Sequence, residues 1–207
     1  MSHLRLAVLA SGRGTNLQSL LDACGDGRLN ASVCLVLSDK KGAQALERAR
    51  LAGIPCSWVN PAAFAAKQEY EEELIKLIRS HNIDYIVLAG YMRVLTPYFI
   101  HHADIPIVNI HPSLLPAFPG LHAQKQALEY GVRYSGCTVH FVDEGVDSGP
   151  IILQAVVTVL PGDTEDSLAA RILAEEHKIY PQALQLLSER RISRQARRVV
   201  ILEEGKK

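Results

Sequence analysis

Short apolar runs alternate along the chain with longer segments in which apolar residues recur every three or four positions. Four of these runs lack the alternation of apolar and polar residues that marks a half-exposed strand; they span residues 4–10, 33–37, 85–89 and 107–110. A weaker run at residues 57–59 predicts a further short strand. Such continuous apolar runs are typical of parallel strands that are buried on both faces.

The segments between these strands have helical spacing. Helices are predicted over residues 43–52 and 64–81, and another follows the first strand, where Leu17, Leu20 and Leu21 recur. Alternating strands and helices predict an α/β fold with right-handed crossovers. The N-terminal half is therefore expected to be Rossmann-like.

The pattern changes after residue 110. Several prolines in residues 112–120 indicate a long loop, and a helix is predicted over residues 122–130. Two strand-like runs, at residues 135–142 and 151–160, are joined by a polar, glycine-rich loop. A connection of this kind favours antiparallel pairing. The sequence thus predicts an open, mixed, mostly parallel twisted sheet with helices on both faces.

A single domain accounts for the whole chain. Residues 1–105 would form a nucleotide-binding half, residues 106–190 a catalytic half, and residues 191–207 a charged tail. The last helix is predicted over residues 165–187 and is expected to be disturbed near Pro181, which lacks an N–H donor.

Acidic and basic residues are balanced at 22 each, so the formal net charge is zero. This balance argues against nucleic acid or an anionic membrane as the partner, since both attract an excess of positive charge. No apolar stretch approaches the roughly 20 residues of a membrane-spanning helix. The four cysteines form no CxxC pair, which is typical of a reducing compartment without a zinc site. We expect a cytoplasmic protein, either a monomer or a homodimer, that binds small molecules and no metal.

The segment Gly12-Arg13-Gly14-Thr15-Asn16 lies between the first predicted strand and the first helix. Glycine lets the backbone approach a ligand closely, and a helix N-terminus offers free amides and partial positive charge to a phosphate. The segment lacks the third glycine of the dinucleotide fingerprint and the Gly-Lys-Ser/Thr of a P-loop. Taken alone, it predicts either a phosphate site or a tight turn that packing requires.

The run Val108-Asn109-Ile110-His111-Pro112 is the most informative feature of the chain. Asn109 and His111 are two residues apart on a predicted strand, so their side chains leave the same face. Ligands of open α/β sheets bind beyond the carboxyl ends of the strands. An amide and an imidazole there could hold the oxyanion that forms as a carbonyl carbon becomes tetrahedral. The alternative is a polar strand end bonded to a neighbouring loop.

Asp147, in the polar loop at residues 143–150, is the candidate third member of this site. A carboxylate beside His111 would orient the imidazole and raise its pKa above the ordinary value of about 6.5. Spacing alone does not establish that contact, and an isolated loop aspartate is better interpreted as a turn residue.

The remaining histidines and arginines considered are interpreted as structural or surface residues, without a role in binding or catalysis. His140 lies in a predicted strand and is interpreted as a core histidine with satisfied hydrogen bonds. The adjacent His101 and His102 project apart in a loop-like stretch, which argues against a metal site. The arginines of the tail are interpreted as a solvated face; they are Arg190, Arg191, Arg194, Arg197 and Arg198.

Two segments resemble a known family. The run Asn109-Ile110-His111-Pro112-Ser113-Leu114-Leu115-Pro116, followed by Phe118-Pro119-Gly120, resembles the signature of the folate-dependent formyltransferases. The run Asp147-Ser148-Gly149-Pro150-Ile151 is similar to that family's second signature, in which the aspartate partners the histidine. The likeness covers about residues 4–190. It implies transfer of a formyl group from 10-formyltetrahydrofolate to an amine.

The resemblance also implies an acceptor. The turn around Gly14 and the segment Glu176-His177-x-x-Tyr180-Pro181 are similar to family members that formylate glycinamide ribonucleotide in purine synthesis. By that likeness, Gly14, Thr15 and Asn16 would hold the phosphate of the ribonucleotide. Glu176 would bind its ribose side.

The folate and catalytic roles are implied in the same way. The pteridine pocket would be lined by Met92, Arg93, Val94 and Leu95. Asn109 would contact the formyl group, His111 would act as acid and oxyanion stabiliser, and Asp147 would raise the pKa of His111. Lys67 stands where relatives often carry arginine to meet the folate glutamate tail, and lysine keeps the charge without the bidentate fork. Residues 112–132 would form a mobile cover.

Three other functions are open to a chain of this type. A 10-formyltetrahydrofolate hydrolase would use water as acceptor, but that family carries an additional N-terminal regulatory domain. A methionyl-tRNA formyltransferase would need a basic C-terminal domain, and only about 20 residues follow the last predicted helix. A silent folate- or nucleotide-binding module is disfavoured because Asn109, His111 and Asp147 occur together.

Overall fold

A computed structural model describes residues 2–203 of the chain. Met1 and residues 204–207, the end of the predicted tail, lie outside the described residues. Seven strands form the main sheet: β1 Leu4–Leu9, β2 Ala31–Ser38, β3 Cys56–Trp58, β4 Tyr85–Leu88, β5 Ile107–His111, β6 Tyr134–Phe141 and β7 Ile151–Thr158. The helices are α1 Thr15–Gly25, α2 Gln44–Leu51, α3 Lys67–Arg79, α4 Pro97–Ala103, α5 Ala123–Tyr130 and α6 Glu165–Ser188, with a short 3₁₀ turn at Pro61–Ala63. Two further strands, β8 Ile192–Gln195 and β9 Arg198–Ile201, form a separate hairpin.

The sheet has the strand order β3-β2-β1-β4-β5-β6-β7. Strands β1 to β5 pair in parallel, whereas β6 pairs antiparallel with both β5 and β7. The prediction of a mixed, mostly parallel α/β sheet is confirmed. The sheet runs without interruption across the proposed division at residue 105, and the division into two halves stays a prediction.

Two apolar cores lie on opposite faces of the sheet. Along β1, Leu6 and Val8 belong to one core and Ala7 and Leu9 to the other, as the two-residue repeat of a strand requires. Helices α1, α2, α5 and α6 contribute to the first core, and α3 and α4 to the second. Because the central strands β1 and β4 are covered on both faces, their sequences are almost continuously apolar. None of the helices within residues 2–203 is both long and apolar enough to cross a membrane.

One expectation about local structure was wrong: His101 and His102 lie on α4 and not in a loop, and Thr96 caps that helix by accepting a hydrogen bond from the Phe99 amide. The predicted long last helix contains Pro181, which removes one helical N–H without ending the helix. Part of the predicted tail forms the β8–β9 hairpin, whose pairing the charged composition of the tail does not reveal.

Tyr180 links helix α6 to two central strands. Its hydroxyl is fully buried and lies 2.9 Å from the Leu88 carbonyl oxygen and 3.1 Å from that of Val108. A single hydroxyl hydrogen is shared between these two carbonyls, one at the end of β4 and one within β5. These are the strands that lead into residues 92–95 and Asn109, so this contact helps to fix the floor of the candidate site.

We predict that Tyr180→Phe lowers the free energy of unfolding by about 1–3 kcal/mol, because it leaves two buried carbonyl oxygens without their donor. Urea denaturation of the purified variant measures this change. Tyr134→Phe is the matched control, since Tyr134 is 61% exposed. Equal stability of the two variants would contradict a structural role for the Tyr180 hydroxyl.

Candidate active site

A cleft of about 920 Å³ opens at the carboxyl ends of β1, β4 and β5. Its volume lies near the upper end of the range for small-molecule sites, which is about 300–1,000 Å³. The predicted site residues in its lining are Gly14, Thr15, Asn16, Met92, Arg93, Val94, Leu95, Asn109, His111, Asp147 and Glu176. One cleft therefore gathers every predicted site residue except Lys67.

His111 is the last residue of β5 and is only 5% exposed. Its Nε2 lies 2.8 Å from the carbonyl oxygen of Phe118, and its Nδ1 lies 3.2 Å from Oδ2 of Asp147. Both neighbours are hydrogen-bond acceptors, so a ring protonated at both nitrogens can donate to each of them. The prediction that Asp147 and His111 meet is confirmed by this geometry.

Asp147 stands on the loop between β6 and β7 with a backbone φ of +50°. Besides His111, its Oδ2 accepts a hydrogen bond from the Gly120 amide at 2.8 Å. Its Oδ1 lies 3.4 Å from Nδ2 of Asn109 and 3.7 Å from Nε2 of His140. The carboxylate thus joins β5, β6 and the loop that follows β5.

His140 was interpreted as a core histidine, and that interpretation was incomplete. It is 1% exposed, as expected, but it lies directly across from Asn109 in the β5–β6 register and lines the cleft. Its Nδ1 donates to the Phe141 carbonyl oxygen at 2.8 Å, and its Nε2 accepts from Nδ2 of Asn109 at 3.2 Å. Burial lowers the pKa of His140, which favours the neutral ring that this pattern requires.

These contacts define the chemistry that Asn109 and His111 can perform. Asn109 supplies an amide whose orientation is set by His140 and Asp147, while His111 supplies an imidazole whose two nitrogens are held by acceptors. The carbonyl oxygen of Phe118 is hydrogen-bonded to Nε2 of His111. A ligand oxygen that binds this nitrogen must therefore displace the Phe118 carbonyl. That carbonyl belongs to the loop predicted to act as a cover.

The glycine turn is shaped by the packing of α2 against it. Gly14 has φ +69°, and a Cβ at this position would lie 2.7 Å from the Cα of Ala45. Ala45 donates its amide to the Gly12 carbonyl, and Arg48 donates to that of Arg13. No side chain within the described residues caps the N-terminus of α1. Packing therefore requires glycine in the turn. The uncapped first residues of α1 also line the cleft, and a phosphate site there stays a prediction.

Asn16 and Glu176 form a pair that the sequence did not predict. Nδ2 of Asn16 donates to Oε2 of Glu176 at 2.7 Å, and both residues are buried. Burial raises the pKa of Glu176, while the hydrogen bond from Asn16 acts in the opposite direction. Oδ1 of Asn16 is buried without a hydrogen-bond partner among the described residues. The pair joins α1 to α6 and leaves one unsatisfied acceptor for a ligand donor.

The segment predicted to bind a pteridine forms one wall of the cleft. Met92 and Val94 are 61% and 60% exposed, whereas Leu95 is buried. Nε of Arg93 is buried without a hydrogen-bond partner in the described part of the chain, and its guanidinium lies 5.2 Å from the ring centre of Tyr70. Lys67 is absent from the lining and donates to the Val94 carbonyl oxygen at 2.6 Å. Exposed apolar side chains beside an unsatisfied donor are suited to a flat, polar-edged ring.

Comparison with known proteins identifies the family to which this fold and this cleft belong. A family model described as formyl transferase matches residues 4–184. The chain belongs to the formyl transferase family. The family expectation drawn from the Asn109 and Asp147 segments is thereby confirmed.

Two relatives within this family show how similar the chain is to proteins of known name. The chain is 45% identical to the phosphoribosylglycinamide formyltransferase of Escherichia coli, over 91% of this chain and 89% of that protein. It is 52% identical to the trifunctional purine biosynthetic protein adenosine-3 of Drosophila melanogaster over 88% of this chain, but it spans only 14% of that longer protein.

Solved structures give the same fold. Glycinamide ribonucleotide transformylase 1 from Symbiobacterium toebii has a TM-score of 0.94 at 52% identity, covering 97% of this chain and 94% of that one. A formyltetrahydrofolate deformylase from Pseudomonas syringae pv. tomato has a TM-score of 0.88 at 29% identity, covering 98% of this chain and 67% of that one. The fold is thus shared by a transferase and a deformylase, and the acceptor must be argued from the site.

We predict that Gly14→Ala destabilises the protein more than Gly27→Ala. Both glycines have positive φ, so each alanine carries a conformational cost of about 1 kcal/mol. A Cβ at Gly27 meets no atom within 4 Å, whereas one at Gly14 collides with Ala45. Thermal unfolding of both variants measures the difference. Equal losses of stability in the two variants would show that the close packing of α2 against the turn does not contribute to stability.

A second prediction concerns the pH dependence of stability. Because burial raises the pKa of Glu176 above 4.5, the folded state binds a proton that the unfolded state releases as the pH rises past 4.5. Wild-type stability should therefore fall between pH 4.5 and the higher folded pKa, and that part of the fall should be missing in Glu176→Gln. Denaturation of both proteins from pH 4 to 8 tests this. Parallel pH profiles would refute it.

Proposed function

We propose that this chain transfers the formyl group of 10-formyltetrahydrofolate to the amine of 5-phosphoribosylglycinamide, in de novo purine synthesis in the cytoplasm. The observation that carries the proposal is the contact between Asp147 and His111 beside Asn109, in a cleft that also contains the glycine turn. A phosphate site and a group able to hold an oxyanion thus share one cleft. Such a cleft suits transfer to a phosphorylated acceptor.

The ribonucleotide side is supported by the glycine turn and the Asn16–Glu176 pair. The uncapped N-terminus of α1 presents Gly14, Thr15 and Asn16 to the cleft, and helix amides with partial positive charge favour phosphate. Glu176 lies 2.7 Å from Asn16 and could accept from or donate to a ribose hydroxyl, since burial favours its neutral form. The acceptor is therefore a sugar phosphate with its amine directed at Asn109.

The folate side is supported by the wall formed by residues 92–95. Met92 and Val94 offer exposed apolar surface, and the buried Nε of Arg93 needs an acceptor. These features fit a pteridine ring, which has a flat apolar face and polar edges. We assign Lys67 to the glutamate tail of the folate; its charge lies at the rim, beside Val94.

The chemistry follows from the groups around the formyl carbon. The acceptor amine forms a bond to this carbon, the bond to N10 of the folate breaks, and one proton passes from the amine to N10, through a water near Asp147. Asn109 and protonated His111 hold the negative charge on the formyl oxygen of the tetrahedral intermediate. Asp147 keeps the imidazole oriented and compensates its charge. These roles require Nε2 of His111 to exchange the Phe118 carbonyl for the formyl oxygen, and Nδ2 of Asn109 to exchange one of its two acceptors, His140 or Asp147, for the same oxygen.

A 10-formyltetrahydrofolate hydrolase is the alternative, because the deformylase from Pseudomonas syringae has the same fold. The two functions differ in the acceptor. A hydrolase needs no phosphate site, whereas this cleft contains an uncapped helix N-terminus and the Asn16–Glu176 pair. These features favour the transferase.

A turnover assay with 10-formyltetrahydrofolate, run with and without glycinamide ribonucleotide, separates the functions. Transfer requires the ribonucleotide, so folate should lose its formyl group only when the acceptor is present. Equal deformylation without the ribonucleotide would identify a hydrolase. No turnover in either condition would leave a binding module and overturn the proposal.

We predict that Asn109→Ala and His111→Ala each lower kcat by about 10² to 10³, the usual effect of removing one oxyanion donor. His101→Ala is the control, since this histidine is exposed and pairs with Glu144 on the surface. Circular dichroism should show an intact fold in all three variants. Wild-type turnover in either cleft variant would contradict the mechanism.

A further inference from the structure

The arginines of the tail are mostly exposed, as expected, but two of them also contact the body of the protein. The β8–β9 hairpin of the tail turns at Ala196 and Arg197, since Gln195 pairs with Arg198. Nη2 of Arg197 donates to the carbonyl oxygen of Ser148 at 2.8 Å. Ser148 directly follows Asp147, so the hairpin holds the backbone one residue beyond the candidate carboxylate.

A second contact reaches the other end of the same loop. The guanidinium of Arg194 lies 5.7 Å from the ring centre of Phe141, within the distance of a cation–π interaction. Phe141 is the last residue of β6, where the loop that carries Asp147 begins. The hairpin therefore touches the loop near its start and near its end.

The hairpin itself is anchored to the body of the protein. Ile192 and Val199 are partly buried against the larger core. At its base, Leu202 donates its amide to the Arg191 carbonyl at 2.7 Å, and Nε of Arg191 donates to the Leu202 carbonyl at 2.9 Å. A closed and anchored hairpin can act as a fixed support.

The loop needs such support. Asp147 adopts a left-handed backbone conformation, which is unfavourable for a residue with a Cβ and persists where surrounding contacts impose it. Inside the loop, Asp143 accepts hydrogen bonds from Ser148 Oγ at 2.5 Å and from the Gly145 amide at 3.2 Å. Arg197 supplies the contact from outside the loop, on the carbonyl of the same Ser148.

We propose that the β8–β9 hairpin is a brace for the loop that carries Asp147, and that Arg197 is a positioning residue for the formyl transfer. The proposal rests on the proposed function, because Arg197 acts on the reaction through Asp147. Arg197 touches neither His111 nor Asn109; it fixes where the carboxylate meets the imidazole. The hairpin lies beyond residue 184, where the match to the family model ends.

The kinetic test compares three variants with the wild type. Arg197→Ala should lower kcat about tenfold with KM for glycinamide ribonucleotide nearly unchanged, because displacing a catalytic group by even 1 Å can cost about 10²-fold. Arg197→Lys keeps a donor for Ser148 and should recover most of the rate. Arg198→Ala, which removes the same charge from the next, exposed residue, should match the wild type.

A double-mutant cycle shows whether Arg197 acts through Asp147. In the Asp147→Asn enzyme, Arg197→Ala should cause no further loss of kcat, because the positioned carboxylate is already gone. An additional tenfold loss in that background would overturn the brace. So would wild-type kcat in Arg197→Ala, or a loss confined to KM.

Amide hydrogen exchange of the peptide covering residues 143–150 gives a measurement that does not depend on activity. Arg197→Ala and Arg194→Ala should speed exchange in this peptide, and Arg198→Ala should not. If the wild type transfers no formyl group, the proposed function fails, yet faster exchange in Arg197→Ala still supports the brace. Unchanged exchange in both Arg194→Ala and Arg197→Ala overturns it.

Discussion

The candidate site depends on the contacts of one side chain, the carboxylate of Asp147. One oxygen faces the Nδ1 of His111 and the amide of Gly120, and the other faces Asn109 and His140. Removing one partner of such a buried cluster leaves the remaining groups without compensation, which costs more than any single contact contributes. The positions of two strands and two loops at the cleft are therefore coupled through this one side chain.

The mixed sheet explains how these residues meet. A parallel strand next to β5 would have directed its carboxyl end, with a loop of its own, toward the same edge. The antiparallel β6 instead runs away from that edge: it brings His140 opposite Asn109 and ends at Phe141, opposite Val108. The connection to β7 therefore starts beside the first residues of β5, and within it Asp147 reaches back to His111 at the carboxyl end of β5. The antiparallel strand thus adds His140 to the site, and the loop that follows it adds Asp147.

Much of this arrangement could be predicted from sequence, and the limits have physical causes. Continuous apolar runs predicted the parallel strands because burial on both faces leaves no polar position. The two-residue spacing of Asn109 and His111 predicted their common face. His140 could not be placed in the site, since the register between β5 and β6 is set by packing and not by either strand alone. Asp147 needed the family resemblance, because a loop residue carries no periodicity.

The contact of Arg197 with Ser148 and that of Asn16 with Glu176 were missed for a related reason. Each joins two residues that are far apart in the sequence, and composition does not reveal which residue a polar side chain will contact. Arg197 has the same charge and exposure as its neighbour Arg198, and only the fold separates a residue that contacts Ser148 from one that faces solvent. Long-range polar contacts of this kind cannot be predicted from the local sequence pattern.

The cleft contains two acidic groups in opposite environments, and this contrast gives them different chemistry. Asp147 accepts hydrogen bonds from the Gly120 amide and from Asn109, and it lies beside the rings of His111 and His140. Glu176 has one amide donor, Asn16, and burial raises its pKa. An ionised carboxylate can only accept hydrogen bonds, whereas a protonated one can also donate. The two ends of the cleft therefore offer a ligand different groups: at one end Asp147 lies against His111, and at the other burial favours the uncharged form of Glu176, which suits the proposed phosphate nearby.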